Sequence, residues 1–285
     1  MNTTVVIGCS NWRDYSFPAP IAALLWREVV GYKPLILLVK KDGTDWTSPP
    51  RNQVVTDFLV EHGLEFRYVN QVDPYESHVT AQNCRQHVAA LNCFADDDWI
   101  MLSDADLWPL KRDFYHLHEG RKERFVMYYA NGDHYQSYPT CHMTARARDW
   151  RSVMCLIRND DLEGQLKKNL DAYLKPKMDG QAPSQASWKA WMNDQWMFTE
   201  WIRKMPWFPL DVFHIERVGH PPVDRLDRSA WPQSPVNLTS YTDSHILRPA
   251  DQPENWPRMK EIVEQVLPKY ADRIEKFRVD FVKGY

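Results

Sequence analysis

The sequence lacks several features that would each indicate a class of function. Its 38 Asp and Glu residues outnumber its 35 Lys and Arg residues, which gives a net charge of −3. A nonspecific nucleic-acid binder normally carries a basic excess, so we expect no nucleic-acid partner. The chain contains no uninterrupted run of about 18 apolar residues, the length that a membrane-spanning helix needs. Its N-terminus has neither a basic start nor a long apolar segment, which predicts a cytoplasmic protein.

Cysteine and glycine are both scarce. The five cysteines are an odd number without paired close spacing, which favours reduced thiols over a disulfide framework or a zinc site. Only 10 glycines are present, and Gly8 stands alone after the first apolar run, so the Gly-rich phosphate loop of a nucleotidyltransferase is missing. Neither an internal repeat nor a strong linker divides the chain. We therefore predict one domain over 1–285.

Apolar runs of strand length alternate with helical patterns along the first part of the chain. The runs at 5–9, 35–39 and 65–69 read as strands, and 35–39 is apolar throughout, as in a strand covered on both faces. Such alternation is typical of βαβ units and a parallel sheet. Helices are predicted at 21–30, 53–62, 149–157, 161–173, 187–204 and 257–282, with one more capped by Thr80. Strands are predicted at 125–130 and 138–145, around a polar loop at 131–134, and an extended surface segment at 206–257.

The most informative stretch is an apolar run at 99–103 that ends in two carboxylates. Asp104 and Asp106 follow the run with only Ala105 between them. A parallel strand would deliver them to the carboxyl edge of the sheet, where open α/β sheets bind their ligands. Paired oxygen ligands suit Mg²⁺ or Mn²⁺, and such an ion suits a diphosphate. The pattern favours metal-assisted handling of a nucleotide, although Asp is also common in plain turns.

An ordered set of residues extends this pattern over roughly residues 4–250. It consists of a first strand with a polar exit and a following Tyr15, a helix with Arg85, the Asp104-Ala105-Asp106 motif, a Trp-rich segment with Asp194-Gln195, and His245 before Arg248-Pro249. In this order the chain resembles the GT-A-fold glycosyltransferases, the superfamily of nucleotide-diphospho-sugar transferases, and distantly the glycogenin-like group. The resemblance implies an α/β fold, a Rossmann-like, mixed and mostly parallel sheet flanked by helices. It also implies a nucleotide-binding half over 1–106 and an acceptor-binding and catalytic half, with a C-terminal helix, over 107–285.

The resemblance assigns a divalent ion, Mn²⁺ or else Mg²⁺, to three residues. Asp106 would bind the ion that bridges the donor diphosphate, while Asp104 would contact the ribose and help to hold the ion. Ala105 belongs to the same donor-binding motif. His245 would complete the metal site, and its imidazole would favour Mn²⁺. His214 and His220 are the alternatives to His245.

Further residues would hold the nucleotide. Cys9, Ser10 and Asn11 stand at the exit of the first strand, where they could present donors to base and ribose. Tyr15 stands at the spacing where related enzymes stack an aromatic ring on the base. Arg85 would reach the nucleotide or the sugar with its guanidinium fork. As alternatives to nucleotide binding, Tyr15 could simply pack in the core, and Arg85 could be a solvated charge on the surface of its helix.

Asp194 and Gln195 would carry the chemistry. Transfer with inversion needs a general base near the acceptor hydroxyl, and a carboxylate between Trp191 and Trp196 would have a raised pKa suited to that task. In retaining members of the superfamily a residue in this region lies near the reacting sugar, and Gln195 could fill that place. The sequence leaves both roles open, together with a simple hydrogen bond from Asp194 to the donor sugar or to a helix terminus.

Two features of the later chain bear on the site. Arg225, Arg228 and Trp231 belong to a basic and aromatic cluster that could bind the leaving diphosphate or the acceptor, because Arg can bind phosphate with two hydrogen bonds. After His245 the chain departs from the glycogenin-like pattern of Gly and Lys-Pro-Trp, and instead reads Ile246-Leu247-Arg248-Pro249. This departure bears on whether His245 has the role of its counterpart in the glycogenin-like group. It also bears on whether the reaction retains the configuration at the anomeric carbon.

Together these inferences predict a metal-dependent glycosyltransferase of glycan biosynthesis. It would move a hexose or pentose from a nucleotide-diphosphate sugar donor to a hydroxyl of a carbohydrate acceptor. A nucleotidyltransferase acting on sugar phosphates shares the sheet architecture and is one alternative, identified by release of pyrophosphate. A noncatalytic glycan- or nucleotide-binding module, with calcium at the Asp pair, is another.

Overall fold

The computed structural model describes residues 3–41, 46, 50–129, 137–177, 192–219 and 221–284. The loop predicted at 131–134, Trp191, His220 and the start of the helix predicted at 187–204 lie outside these ranges. Inside them the chain forms a mixed, mostly parallel sheet flanked by helices. This arrangement confirms the fold class predicted from the sequence.

Ten strands occur in the described residues. They are β1 (Thr3–Cys9), β2 (Lys33–Lys40), β3 (Glu65–Asn70), β4 (Trp99–Ser103), β5 (Leu107–Pro109), β6 (Phe125–Met127), β7 (Met143–Arg146), β8 (Val212–His214), β9 (Arg225–Asp227) and β10 (Asp243–His245). The main sheet has the order β3-β2-β1-β4-β7-β6-β8, and β7 runs antiparallel to both of its neighbours. Strand β1 pairs in parallel with β2 and β4, so the ends of β1 and β4 meet at one edge.

The helices cover both faces of the main sheet. They are α1 (Arg13–Ser16), α2 (Pro18–Leu25), α3 (Pro50–Glu61), α4 (Ser77–His87), α5 (Arg112–Tyr115), α6 (Ala147–Met154), α7 (Leu162–Leu174), α8 (Asn193–Ile202), α9 (Trp256–Val266) and α10 (Ala271–Lys283), with a π-helical turn at Trp26–Val30 after α2. Because side chains alternate along a strand, Val5 and Ile7 of β1 pack in one apolar core while Val6 packs in the other. The first core includes α2, α3, α9 and α10, and the second includes α4, α6, α7 and α8.

The C-terminal segment is not the single helix predicted at 257–282. It forms two helices, α9 and α10, separated by a turn at Pro268–Tyr270. Proline cannot donate a backbone hydrogen bond and clashes with the preceding turn, so Pro268 ends the first helix. The second helix packs on α3, where the rings of Phe58 and Phe277 have centroids 4.4 Å apart.

The segment predicted to be extended at 206–257 contains β8, β9 and β10. Strand β8 adds to the main sheet, whereas β9 and β10 form a small sheet with β5 in the order β5-β10-β9. In this small sheet His245 is paired with Leu107 on one side and with Asp227 on the other. The late part of the chain is thereby joined to the residues that directly follow the Asp104–Asp106 pair.

Strand β1 and helix α4 are in direct contact at Gly8. A Cβ atom at this position would lie 1.9 Å from the carbonyl oxygen of Ala81, so the backbones can approach this closely only where a side chain is missing. Thr80 lies within α4 instead of capping it, and its hydroxyl accepts a hydrogen bond from the backbone N–H of Val72 at 3.2 Å. The helix is therefore placed by tertiary contacts, with Arg85 close to the end of β1.

Two predictions about the chain as a whole can also be compared with the structure. No helix among the described residues combines the length and apolar character needed to cross a bilayer. All five cysteines are free thiols; Cys9, Cys84 and Cys141 are buried, and Cys93 and Cys155 are exposed. The prediction of reduced thiols agrees with this finding.

Candidate active site

A cavity of about 210 Å³ lies at the carboxyl ends of β1 and β4. The predicted site residues that line it are Ser10, Tyr15, Arg85, Asp104, Ala105, Asp106, Asp194, Gln195 and His245. Gly8, His78, Ala81, Gln82, Thr140, Arg228 and Arg248 line it as well. The fold thus collects residues from distant parts of the chain at the edge where open parallel sheets bind ligands.

Arg85 is buried at the centre of this cavity wall. Its Nη1 donates to the carbonyl oxygen of Ser103 at 2.8 Å and to Asp104 Oδ1, and its Nη2 donates to Asp194 Oδ2 at 3.2 Å. Its Nε donates to the carbonyl oxygen of Gln82 at 3.1 Å. The guanidinium that the resemblance directs toward the nucleotide is thus bound to protein acceptors, and it bridges two of the site carboxylates.

Asp194 lies at the start of α8 and is 3% exposed. Burial raises its pKa to about 6, while the charge of Arg85 and the hydrogen bond from Thr140 act in the opposite direction. Both donors contact Oδ2, and Oδ1 receives no hydrogen bond from another side chain in the described part of the chain. A carboxyl group that ionises near neutral pH can take up a proton from a substrate hydroxyl.

Asp106 is surrounded by positive groups. Its Oδ2 accepts hydrogen bonds from Arg228 Nη1 and Arg248 Nε, both at 2.9 Å, and from Arg248 Nη2. The Nε2 atom of His245 lies 3.2 Å from the same oxygen. Burial of Asp106 acts to raise its pKa, but the His245 hydrogen bond and the charges of Arg248 and Arg228 hold the pKa well below its ordinary value. Asp106 is therefore a carboxylate at any pH near neutrality.

His245 is shared between two carboxylates. While Nε2 faces Asp106, Nδ1 lies 3.1 Å from Asp227 Oδ2. Burial lowers the pKa of His245, but the hydrogen bonds to Asp106 and Asp227 outweigh it and raise the pKa above the ordinary value. The pairing of β9 with β10 sets this geometry, because it places His245 directly beside Asp227.

The predicted divalent ion does not fit these residues as they are placed. Asp104, Asp106 and His245 offer oxygen and nitrogen ligands of the kind that Mn²⁺ accepts. However, within residues that the structure describes, no three His, Cys, Asp or Glu side chains are arranged to hold a metal ion. Arg85 contacts Asp104, and two further arginines contact Asp106. The guanidinium groups thus hold Asp104 Oδ1 and Asp106 Oδ2, oxygens that a metal site made of these residues would need as ligands.

The residues predicted to hold the nucleotide divide into two groups. Ser10 and Tyr15 line the cavity, and the Arg248 guanidinium lies 4.8 Å from the centre of the Tyr15 ring. Cys9 and Asn11 do not border the cavity. Cys9 alternates with Gly8 and Ser10 along the strand, so its side chain enters the apolar core, and burial raises the pKa of its thiol.

The residues of the basic and aromatic cluster predicted around residue 228 also do not all border the cavity. Arg228 lines the cavity, whereas Arg225 is buried and donates to Asp243 Oδ1 at 2.7 Å. Trp231 packs against the first apolar core, and His214 lies outside the cavity lining, next to the ring of Tyr138. Of the three histidines considered for the metal site, His245 borders the cavity, and His220 lies outside the described residues.

Sequence reasoning did not identify Thr140, His78 or Gln82. Thr140 reaches Asp194 because the chain runs back toward the cavity before the antiparallel strand β7, a path that no local pattern indicates. His78 and Gln82 precede Arg85 on α4 and line the cavity beside it. A helical projection from Arg85 could have found both, since residues three and seven positions apart share a helix face.

No protein-family model matches the chain, and no curated protein matches it. Comparison with solved structures finds the glycosyltransferase GlyE of Streptococcus pneumoniae TIGR4, with 13% identity over 75% of this chain and a TM-score of 0.42. The match spans 45% of the GlyE chain, so this protein corresponds to less than half of that one.

Two further solved structures match over most of this chain and most of their own chain. The galactosyltransferase LgtC, in complex with donor and acceptor sugar analogs, is 12% identical, with coverage of 97% of this chain and 95% of its own and a TM-score of 0.47. A glycosyltransferase involved in the glycosylation of the major capsid of PBCV-1 is 11% identical, with coverage of 87% and 94% and a TM-score of 0.37. All three proteins are described as glycosyltransferases, the class whose fold the sequence of this chain resembles.

Proposed function

We propose that this protein transfers a sugar from a nucleoside diphosphate donor to a hydroxyl group of a carbohydrate acceptor. The observation that carries the proposal is the pairing of two kinds of group in one cavity. Arg228, Arg248 and His245 form a cationic wall, and Asp194 is a buried carboxyl with a pKa of about 6. Glycosyl transfer needs both, because charge develops on the leaving diphosphate while the acceptor loses a proton.

The cationic wall supports binding of the diphosphate. During transfer a bond forms between the acceptor oxygen and the anomeric carbon, and the bond from that carbon to the diphosphate oxygen breaks. The diphosphate keeps the electron pair, so negative charge grows on its oxygens. Arg228 and Arg248 carry guanidinium groups that can bind such oxygens in pairs, and both remain partly exposed to the cavity, at 30% and 23% of their side-chain surface.

Asp194 is proposed to take the proton of the acceptor hydroxyl. Arg85 and Thr140 donate to its Oδ2 atom, and the backbone N–H of Gln195 also donates to the carboxyl group, so the substrate hydroxyl would approach from the Oδ1 side. Gln195 follows Asp194 on α8 and lines the same cavity, where its amide could contact the donor sugar. A product with inverted anomeric configuration would support Asp194 as the base. A product with retained configuration would instead give the central role to Gln195, beside the donor sugar. This is the second role that the sequence leaves open.

The experiment is a ligand panel followed by product analysis. UDP, GDP, CDP and their sugar conjugates are tested for thermal stabilisation with and without Mn²⁺ or Mg²⁺, since a ligand at about 100 times its Kd adds roughly 2.7 kcal/mol to stability. The stabilising conjugate is then incubated with simple sugars, and the release of nucleoside diphosphate is measured. Release of pyrophosphate from a sugar phosphate and a nucleoside triphosphate would instead identify a nucleotidyltransferase. Glycan binding that no nucleotide influences would identify a binding module.

Asp194→Asn provides the matched test of the mechanism. It should retain donor binding and lose transfer by about 10²-fold or more, the usual contribution of a positioned base. Asp97→Asn, which removes a carboxylate from an exposed ion pair with Arg148, is the control. Equal transfer rates in the Asp194→Asn variant and the unchanged protein would overturn the role of Asp194.

A further inference from the structure

A second cavity, of about 240 Å³, lies at the edge of the main sheet opposite the candidate active site. This basic cavity is lined by Lys122, Arg124, Arg146, Arg148, Asp149 and Asp211. Arg124 directly precedes β6 and Asp211 directly precedes β8, whereas Arg146 ends the antiparallel strand β7. Because β6 and β4 run in the same direction, the two cavities lie at least one strand length apart, about 16 Å for the five residues of β4. The proposed transfer reaction makes no use of the basic cavity.

The basic cavity carries more positive than negative groups. Four of its side chains are cationic and two are carboxylates. Lys122 and Arg146 form no ion pair within the part of the chain that the structure describes. Arg148 is paired with Asp97, but both side chains are exposed, and an exposed ion pair contributes little to stability. The basic cavity therefore offers positive charge that a negatively charged ligand can neutralise.

Arg124 is held in one orientation in the basic cavity. Its Nε donates to Asp211 Oδ2 at 3.1 Å, and its Nη1 donates to Asp149 Oδ1 at 2.9 Å. The backbone N–H of Arg124 also donates to the carbonyl oxygen of Asp211 at 2.8 Å, and the guanidinium lies 5.3 Å from the centre of the Trp207 ring. Its Nη2 donates to no acceptor among the described residues, so this nitrogen stays available to a ligand.

Asp149 indicates which kind of anion the basic cavity would take. Asp149 is 1% exposed, and its Oδ2 atom has no hydrogen-bond partner in the described ranges. Burial raises the pKa of this carboxyl group, while the guanidinium groups of Arg124, Arg148 and Arg146 act in the opposite direction. A buried acceptor without a partner costs stability. A ligand that satisfies the cavity should therefore bring a hydrogen-bond donor together with its negative charge.

We propose that the basic cavity binds a phosphate monoester. One phosphate oxygen accepts a hydrogen bond from Arg124 Nη2, and the other oxygens are neutralised by Lys122 and Arg146, since guanidinium and ammonium groups both bind phosphate. A phosphate monoester loses its second proton at a pKa of about 6, so a bound monoester can keep a P–O–H group that donates to Asp149 Oδ2. Sulfate and phosphodiesters carry no such proton near neutral pH.

The size of the basic cavity fits an ester better than a bare ion. One water needs only about 10–15 Å³, so a cavity of about 240 Å³ has room for the phosphate and for part of the group that carries it. That group can be a soluble compound or a lipid, because the cavity recognises the phosphate itself. The proposal concerns a different edge of the sheet from the transfer reaction and does not depend on the proposed function.

The test measures binding to the full chain by isothermal titration calorimetry. The probes are inorganic phosphate, methyl phosphate, dimethyl phosphate and sulfate. Inorganic phosphate and methyl phosphate can each keep a proton and carry a second charge, whereas dimethyl phosphate and sulfate cannot donate a hydrogen bond. We expect the first two probes to bind at least about tenfold more tightly than the other two, the difference that one hydrogen bond to a charged group supplies.

Substitutions in the basic cavity should weaken methyl phosphate binding. Lys122→Gln and Arg146→Gln should each lower the affinity by about tenfold, because each removes a charged donor. Asp149→Asn replaces an acceptor by a group that can also donate, so the preference for methyl phosphate over sulfate should disappear. Arg248→Gln is the matched control, since it removes a guanidinium from the other cavity and should leave this affinity unchanged. Thermal unfolding checks that each variant folds, and the exposed Lys122 keeps the test open if a buried substitution does not.

Vesicles distinguish a lipid from a soluble source of the ester. Phosphatidic acid has a phosphate monoester as its headgroup, whereas the phosphate of phosphatidylglycerol is a diester. Sedimentation with phosphatidylcholine vesicles that contain phosphatidic acid, but not with those that contain phosphatidylglycerol, would assign the site to a lipid. Binding of methyl phosphate without sedimentation would assign it to a soluble phosphorylated compound.

Three results would overturn the proposal. The first is that neither inorganic phosphate nor methyl phosphate gives a measurable heat of binding. The second is an affinity that Lys122→Gln and Arg146→Gln leave unchanged, and its loss in Arg248→Gln would then place the phosphate in the candidate active site. The third is equal affinity for sulfate and methyl phosphate, which would exclude a site for monoesters. None of these measurements uses a nucleotide, so the proposed function stands or fails separately.

Discussion

The hydroxyl of Thr140 donates a hydrogen bond to Oδ2 of Asp194, a residue 54 positions later in the chain. Arg85 donates to the same oxygen at 3.2 Å. Two donors on one carboxylate oxygen fix the rotation of the group and direct the other oxygen to the remaining side. Thr140 thus orients the proposed base, and its removal should be visible in the pH dependence of the reaction.

Thr140→Val should move the acidic limb of the pH profile of kcat/KM upward by about one pH unit. The hydrogen bond from Thr140 lowers the pKa of Asp194, and a hydrogen bond to a charged group contributes about 1.5–3 kcal/mol. Loss of this bond raises the pKa of Asp194 above about 6, so the base ionises at higher pH. Thr140→Ser keeps the hydroxyl and should restore the profile. A lower rate with an unshifted limb in Thr140→Val would mean that the residue only supports the fold.

Asp194→Asn should make the protein more stable than the unchanged chain, and the difference should grow as the pH rises. Burial raises the pKa of Asp194 from 3.8 to about 6 in the folded state, so the folded protein holds its proton to higher pH than the unfolded chain does. The unchanged protein therefore loses stability between about pH 4 and 6, on the order of 3 kcal/mol at most. Asn does not titrate. Urea unfolding at pH 4, 5, 6 and 7 measures the difference, and a difference independent of pH would contradict the prediction.

Asp243→Asn should destabilise the fold by about 3–5 kcal/mol. Asp243 is fully buried and accepts hydrogen bonds from Arg217 Nη1 at 2.6 Å and Arg225 Nε at 2.7 Å. Neutralising it removes the carboxylate that pairs with the buried guanidinium of Arg225, and it leaves Arg217 with Asp224 as its acidic partner. Asp97→Asn, at an exposed ion pair, should cost less than about 1 kcal/mol. Chemical unfolding of both variants measures the loss in the free energy of unfolding. Equal losses would show that the buried ion pairs of Asp243 stabilise the fold no more than a surface pair does.

Gly8→Ala should weaken both the fold and donor binding. The new Cβ would lie 1.9 Å from the Ala81 carbonyl oxygen, so α4 must move away from β1, at a cost of about 1–3 kcal/mol or more. Gly63→Asn is the control, because Gly63 has a φ of +58° with no atom within 4 Å of its Cβ position, and Asn tolerates that conformation. Thermal unfolding and nucleotide titration measure the two effects. Normal binding in Gly8→Ala would show that the spacing of β1 and α4 is not critical to the site.

Much of the main sheet could be predicted, because several of its strands are continuous apolar runs in the sequence. The runs at 5–9 and 35–39 are strands paired in parallel, and the run at 99–103 delivers Asp104 and Asp106 to the predicted edge. The strands of the small sheet could not be predicted. Each is three residues long, and β9 and β10 are mostly polar. What holds Asp243 and His245 in a strand is their pairing with residues about 18 and 136 positions away.

The partners of the site residues were the least predictable part. Asp106, Asp194 and His245 line one cavity, as their predicted roles require, but the sequence does not show which groups neutralise them. In the sequence Arg248 follows His245 in the ordered set and belongs to the departure from the glycogenin-like pattern, and neither feature indicates a contact with Asp106. Its contact with Asp106, 142 residues away, follows from the way the chain returns to the cavity after β10. Contacts of this kind are set by tertiary structure and leave no local periodicity.

The alternation along β10 links the cavity to the buried ion pairs of the small sheet. Asp243 and His245 lie two residues apart on one face of the strand. Asp243 is buried and is paired with Arg225 of β9, and His245 borders the cavity and is paired with Asp227. A one-residue insertion or deletion between them would rotate one member of the pair to the opposite face. Distant homologues should consequently preserve this two-residue interval even where the surrounding proline-rich stretch has diverged beyond alignment.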